Sequence, residues 1–128
     1  MTLPSLTRRQ WLAASGALAL PGLPPFAHAA DWPNRPIRFV VPFAPGGSSE
    51  IVARSTAAEL SKTMGQNVFV ENKPGAAGNI AMQEVARSDD QHTVVLGHIG
   101  TLAVNPYIFD KLPYDPNKDF RPVSLLAK

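Results

Sequence analysis

Short apolar runs alternate with longer amphipathic segments from Pro36 onward. Residues 37–43, "IRFVVPF", are nearly all apolar and rich in β-branched side chains, which is typical of a buried strand. Residues 48–65 have a helical period, and the positions spaced 4, 3 and 4 apart predict one buried face: Ala53, Ala57, Leu60 and Met64. Ser48 or Ser49 is expected to cap this helix and Gly65 to end it.

The same alternation continues with two more strands and a second helix. Residues 67–72 and 92–98 have the composition of strands, and residues 79–88 predict a short helix capped by Asn79. Strand, helix, strand, helix, strand at this spacing predicts βαβ units, and therefore an α/β fold with a mainly parallel sheet. A proline-rich loop then leads to residues 123–127, which predict a fourth strand.

Three turns follow the predicted strands, and all are rich in Gly, Ala, Ser, Thr and Asn. They cover residues 44–50, 73–79 and 98–101. In a parallel sheet they lie at the same carboxyl edge. Small residues let a ligand approach the main chain, and a helix N-terminus offers free N–H groups and partial positive charge. The pattern therefore favours an anion, although each turn taken alone is equally typical of a plain tight turn.

Phosphate is the competing anion, and the sequence argues against it. Gly46 and Gly47 are followed by Ser-Ser-Glu, whereas a P-loop requires Lys and then Ser or Thr. Neither glycine-bearing turn has the three glycines of a dinucleotide-binding motif. Glu50, within the first helical turn, would also repel a doubly charged phosphate. A carboxylate fits better, because hydrogen bonds to a charged group contribute roughly 1.5–3 kcal/mol each.

No residue pattern indicates catalysis, a metal site or a cofactor. Ser48 and Ser49 lack a visible base, so we expect no enzymatic activity. His98 is expected to be a ligand contact or an ordinary surface residue, and His92 an exposed strand start. The Asp89-Asp90…His92 cluster lacks a third ligand within sequence reach.

The first 29 residues resemble an export signal. Arg8-Arg9 is followed by an apolar stretch that ends in Ala-His-Ala, which predicts cleavage after Ala29 and a periplasmic location. The twin arginines favour the twin-arginine type, and an ordinary Sec signal is the alternative. Glycines and prolines interrupt the apolar stretch, which argues against a membrane span.

Charge and cysteine content exclude two further classes. Cleavage removes Arg8 and Arg9 from the twelve basic residues and leaves ten to balance ten acidic ones. No basic stripe with interleaved aromatics is present, so we expect no nucleic-acid partner. The chain has no cysteine, and an exported domain without disulfides must be held by its hydrophobic core.

Three segments together resemble the receptors of the tripartite tricarboxylate transporter family, the Bug receptors. They are "PIRFVVPFAPGGSSEIVAR", "VFVENKPGAAGNIA" and "NPYIFDKLPYDPNKDFRPVSLLA". The resemblance implies a two-lobed periplasmic binding protein of type II that closes on a small carboxylate. It implies ligand contacts through main-chain N–H groups and small hydroxyls at fourteen positions: Phe43, Ala44, Pro45, Gly46, Gly47, Ser48, Ser49, Ala76, Ala77, Gly78, Asn79, His98, Gly100 and Thr101.

This chain departs from the family pattern at two places. Glu50 stands where the family usually has aspartate, and its extra carbon is expected to change how the first turn is tied down. "SDDQHT" replaces the usual Pro-Asp-Gly-Tyr-Thr turn before the third strand. Losing both Pro and Gly weakens that turn, and we expect an effect on stability only.

The resemblance implies a receptor that delivers a carboxylate to membrane permease subunits, as a monomer without cofactors. The alternatives are a module that presents its ligand to a sensor kinase, or a non-functional truncated fragment. Residues 30–128 are expected to form an incomplete first lobe that stops near the first crossover between lobes. We therefore expect this segment alone to bind its ligand weakly or not at all.

Overall fold

The computed structural model describes residues 31–127, and the predicted export signal, residues 1–29, lies outside them. Strands and helices alternate: β1 (Ile37–Val41), α1 (Ser48–Met64), β2 (Val68–Asn72), α2 (Asn79–Ala86), β3 (Thr93–Val95) and α3 (Asn105–Ile108). A 3-10 turn, Ala76–Gly78, leads into α2, and a π-helical turn, Gly100–Val104, leads into α3. Within this range, no helix has the length and hydropathy needed to cross a bilayer.

β1 is the middle strand of a parallel sheet with the order β2-β1-β3. Ile37 is opposite Val68 in one ladder, and Phe39 is opposite Val94 in the other. The predicted α/β fold with a parallel sheet is therefore confirmed. Because all three strands run the same way, the turns that follow them gather at one edge.

Helix α1 covers one face of the sheet. The buried cluster beneath it is made of Ile37, Phe39, Val41, Ala53, Ala57 and Val68. Alanine at the two central helix positions lets α1 lie close to β1, while Leu60 and Met64 pack at the margin of the cluster. Val40 alternates to the other face and is fully buried, and α2 contacts β1 and β3.

The predicted helix caps are wrong, whereas the predicted end of α1 is confirmed. Gly47, in an extended conformation, precedes α1, and no side chain caps it, so Ser48 and Ser49 are already helical. Gly78 precedes α2 at φ 90°, and Asn79 lies inside the helix. A positive φ is easy only for glycine, so Gly78 fixes the start of α2 one residue before the predicted one. Gly65 ends α1 in the left-handed conformation, as expected.

The last predicted strand is also wrong. Residues 123–127 have no regular secondary structure and are exposed, with Val123 88% accessible. A strand requires a partner for its backbone N–H and C=O groups, and none among residues 31–127 pairs with this segment. β3 is shorter than predicted, since residues 96–98 already belong to the turn that follows it.

Candidate functional site

The three turns at the carboxyl edge contact one another. The Phe43 ring, after β1, meets the His98 ring, after β3, edge-on at 5.0 Å between centroids. The Asn72 side chain, at the end of β2, donates to the Phe43 carbonyl at 3.1 Å. A methyl group placed on Gly78 would lie 2.7 Å from Thr101 Cγ2. The fold thus brings the predicted residues of all three turns into one neighbourhood.

The first turn is tied down by Glu50. Its carboxylate accepts from the Gly46 amide at 2.5 Å and from the Arg54 side chain at 2.7 Å. These bonds lower the pKa of Glu50 and keep it ionised, and the bond from Gly46 has the largest effect. Glu50 therefore holds the first turn to the start of α1.

Beyond Gly46, the first turn presents amides without protein partners. Gly47, Ser48 and Ser49 donate to no acceptor among residues 31–127, while the next amide, that of Glu50, bonds to the Gly47 carbonyl at 3.1 Å. The first amides of any helix lack an acceptor within the helix, and here no capping side chain replaces it. Three adjacent N–H groups at the start of a 17-residue helix are thus available to an anion.

The second turn combines backbone strain with two more available amides. Ala76 and Ala77 have φ of 46° and 55°, between Gly75 at 132° and Gly78 at 90°. Left-handed conformations of non-glycine residues cost on the order of 1–3 kcal/mol each and are concentrated at functional sites. In the described part of the chain, the amides of Ala76 and Ala77 meet no acceptor, whereas that of Gly78 bonds to the Gly75 carbonyl at 2.9 Å.

A buried polar network fixes the second turn to the third. Asn79 Oδ1 accepts from Asn105 Nδ2 at 2.7 Å and lies 3.1 Å from the hydroxyl oxygen of Tyr114. Asn105 also donates to the Ala77 carbonyl at 3.0 Å, and Tyr114 to the Thr101 carbonyl at 2.6 Å. Burial raises the pKa of Tyr114, so the phenol stays protonated as a donor. The Oδ1 atom of Asn79 is therefore engaged inside the protein.

Asn105 and Tyr114 are the residues that the sequence reasoning missed as parts of this neighbourhood. They belong to the segments "NPYIF" and "LPYDP", which indicate the receptor family but do not predict that these two side chains lie near the turns. An Asn before Pro and a Tyr between prolines are typical of exposed loops. Their burial depends on long-range contacts that local pattern does not encode.

The third turn uses most of its polar groups internally. The fully buried Thr101 hydroxyl accepts from the His98 amide at 3.2 Å and donates to the His98 carbonyl at 3.1 Å. The Gly100 amide donates to His98 Nδ1 at 3.0 Å. The main-chain donors of His98 and Gly100 are therefore occupied, as are those of Gly46 and Gly78 in the first two turns, whereas the amides of Ile99 and Thr101 donate to no acceptor among residues 31–127.

The basic side chain in the second turn is neutralised by its neighbours. Lys73 Nζ lies 2.5 Å from a carboxylate oxygen of Glu84 and 3.5 Å from one of Glu71. The hydrogen bond to Glu84 raises the pKa of Lys73, and the same bond lowers that of Glu84. Arg38 bonds both carboxylates from the middle strand. Two cations and two anions cancel here, so this cluster is expected to fix α2 to the sheet.

A family model for the tripartite tricarboxylate transporter family receptor matches residues 52–128, more than half of the chain. The chain belongs to this receptor family. The resemblance inferred from the sequence is thereby confirmed, and the family that it names is a family of receptors.

Solved structures of receptors place the fold among the periplasmic binding proteins. MatC from Rhodopseudomonas palustris, with bound malate, is 47% identical with a TM-score of 0.71, over 74% of this chain and 33% of that one. The periplasmic binding protein BugD is 41% identical with a TM-score of 0.67, over 71% and 30% of the two chains. A second R. palustris protein, Rpa4515 with adipate, is 40% identical with a TM-score of 0.65, over 68% and 29% of the two chains.

The chain spans about a third of the length of the curated relatives that it matches, from 28% to 37%. Those relatives are 37% to 44% identical to it. The described α/β unit therefore corresponds to one part of a longer receptor architecture.

An open groove of about 530 Å³ lies elsewhere, along residues 106–119. Prolines, Phe109 and Tyr114 line it together with three acidic residues, Asp110, Asp115 and Asp119. Asp115 and Asp119 are used in their own turn, where Asp119 accepts from the Asp115 amide at 2.7 Å. Carboxylates would repel an anionic ligand, so this groove does not compete with the carboxyl edge as an anion site.

The turn before β3 differs from its expected form. His92 is buried rather than exposed, with 7% accessibility, because the Trp32 ring lies 5.8 Å away. Asp90 replaces the missing Pro and Gly by accepting from the His92 amide and the Thr93 hydroxyl, each at 3.1 Å. Several interactions lower the pKa of Asp90, and the hydrogen bond from the His92 amide has the largest effect. No group of three or more candidate metal ligands occurs in residues 31–127.

Proposed function

We propose that this protein is a periplasmic receptor that captures a small organic carboxylate through the backbone amides of its glycine-bearing turns. The observation that supports this most directly is a set of five amides without protein acceptors among residues 31–127, all at one edge of a parallel sheet: Gly47, Ser48, Ser49, Ala76 and Ala77. The other predicted contacts, at Phe43, Ala44, Pro45 and Thr101, would line the site beside these amides.

The magnitudes favour this proposal. Hydrogen bonds to a charged acceptor contribute about 1.5–3 kcal/mol each, so three would supply roughly 5–9 kcal/mol before desolvation of the ligand. A micromolar dissociation constant corresponds to about 8 kcal/mol. Uncharged main-chain donors can therefore hold an organic acid, with no lysine or metal ion needed. The malate and adipate in two related receptors make a dicarboxylate the first ligand to test.

The remaining parts of the proposal concern the whole protein. Residues 1–29 would direct export and be cleaved near Ala29, and residues 30–128 would belong to the first lobe of a two-lobed receptor. The loaded receptor, as a monomer, would deliver its ligand to membrane subunits of a tripartite tricarboxylate-type transporter. Family membership supports this assignment.

Isothermal titration calorimetry of the full-length protein, meaning the two-lobed receptor to which residues 30–128 would contribute the first lobe, tests the carboxylate proposal. Malate, adipate and a tricarboxylate are titrated, with the diamide of malic acid as a matched uncharged control. We expect at least one acid to bind with micromolar affinity and the diamide not to bind. Equal binding of acid and diamide, or no binding of any acid, would overturn the proposal.

A further inference from the structure

The His98 ring has one nitrogen engaged and one available at the candidate site. Nδ1 accepts from the Gly100 amide at 3.0 Å. Among residues 31–127, the ring of His98 is hydrogen-bonded through Nδ1 only, and Nε2 bonds to no protein atom. The residue is exposed and lies in the turn after β3, at the same edge as the five unpaired amides.

The Gly100 bond fixes the tautomer of the neutral ring. A backbone N–H can only donate, so Nδ1 must present its lone pair and the ring proton must be on Nε2. Nε2 lies across the ring from the Gly100 contact, and it is therefore a hydrogen-bond donor that faces away from the turn. The same bond would be lost if the proton moved to Nδ1.

Two further contacts hold the ring in position. Phe43 packs against it edge-on at 5.0 Å, which joins it to the first turn. Gly100 provides the room, because a methyl group there would lie 3.2 Å from Nδ1, closer than is usual for such a contact. The main chain of His98 is itself fixed on both sides by the buried Thr101 hydroxyl.

We propose that His98 contributes Nε2–H as a side-chain donor to the carboxylate ligand, and that Gly100 and Phe43 are positioning residues that hold the ring in this tautomer. This deepens the proposed function and rests on it. The third turn has its His98 and Gly100 amides occupied, so the imidazole supplies the donor that these amides do not.

Two substitutions of His98 separate its two ring nitrogens. In His98→Asn, Oδ1 stands near the position of Nδ1 and can still accept from Gly100, but no donor remains at the Nε2 position. In His98→Gln, the longer side chain carries an NH₂ donor toward the Nε2 position and leaves the Gly100 amide without its partner. Malate titrations of the full-length variants measure affinity. Their melting temperatures show whether the changed turn still stabilises the fold.

We expect His98→Asn to weaken malate binding about tenfold or more, as loss of one hydrogen bond to a charged group implies, with an unchanged melting temperature. His98→Gln should retain more affinity than His98→Asn although it loses the turn bond. Long-range ¹⁵N–¹H spectra of the free protein should show the His98 proton on Nε2, and malate should shift the Nε2 resonance.

Three results would overturn the proposal. They are wild-type malate affinity in His98→Asn, a proton on Nδ1 in the free protein, and an Nε2 resonance that is indifferent to bound malate. If the acid binds and depends on the Ser48 amide but not on His98, the proposed function stands and the role of His98 fails. If no acid binds, both fail.

Discussion

Replacement of Ser48 by proline would delete one unpaired amide and little else. Ser48 is the first residue of α1, a position at which proline fits because its N–H has no partner inside the helix. Gly47, with φ −89° and ψ 168°, already has the extended conformation that a residue before proline prefers. Few positions allow an amide to be removed with so little disturbance of the backbone.

The two expected magnitudes differ widely. No protein hydrogen bond is lost, so the free energy of unfolding should stay within about 0.5 kcal/mol or rise slightly, since proline restricts the unfolded chain. If the amide donates to a ligand carboxylate, binding loses about 1.5–3 kcal/mol, which is roughly a tenfold to hundredfold rise in the dissociation constant. A large change in affinity without a change in stability is the signature of a contact made only to the ligand.

Calorimetry with the carboxylate that binds, and urea unfolding without it, measure the two quantities. Ser48→Ala is the matched control, because it removes the hydroxyl and keeps the amide. We expect the alanine variant to bind almost as the wild type does if the amide carries the contact. If Ser48→Pro is stable and binds with unchanged affinity, the start of α1 takes no part in ligand capture.

Three further predictions concern the stability of the turns. Gly78→Ala should destabilise the fold by about 1–3 kcal/mol in urea unfolding, because φ of 90° is strained for alanine and its methyl group would lie 2.7 Å from Thr101 Cγ2; an unchanged midpoint would contradict the described packing. Tyr114→Phe should cost about 1–2 kcal/mol, since it strands the Thr101 carbonyl, whereas Tyr107→Phe at an exposed position is a neutral control. The hydrogen bonds from Gly46 and Arg54 lower the pKa of Glu50 below 4.5 in the folded state. The stabilisation that ionised Glu50 gives to the fold is therefore present above that pH, and it is lost as the pH falls through the lowered pKa. Glu50→Gln should remove that part of the acid dependence, and an unaltered acid profile would show that the Gly46 bond contributes nothing.

The parallel sheet could be predicted from the sequence because it depends on local period. The interval of the buried positions in α1 and the β-branched run of β1 each specify one element without reference to the rest of the chain. The common edge of the turns then follows from the shared direction of the strands, whatever their order. This is why three loops distant in the sequence could be assigned to one place.

The internal state of each turn could not be predicted in the same way. Whether an amide is free depends on which oxygen lies nearby, and the acceptors are as varied as a glutamate four residues ahead, a histidine ring and a carbonyl three residues back. The left-handed pair Ala76-Ala77 has no signature, because alanine is an ordinary helix former. Its conformation is imposed by Asn105, which bonds the Ala77 carbonyl from 28 positions further along the chain.

The backbone strain of the second turn lowers the stability of the folded protein, and this cost bears on the role of the turn. Two left-handed alanines together cost on the order of 2–6 kcal/mol, and their amides find no acceptor in the described chain to offset it. The buried Asn79–Asn105–Tyr114 network supplies the rigidity that keeps the turn in this form. A carboxylate that accepts from the two amides would gain bonds without any further ordering of the backbone, because the folded chain has already supplied that ordering. The strain is therefore best understood as preorganisation, in which stability of the empty fold is exchanged for affinity.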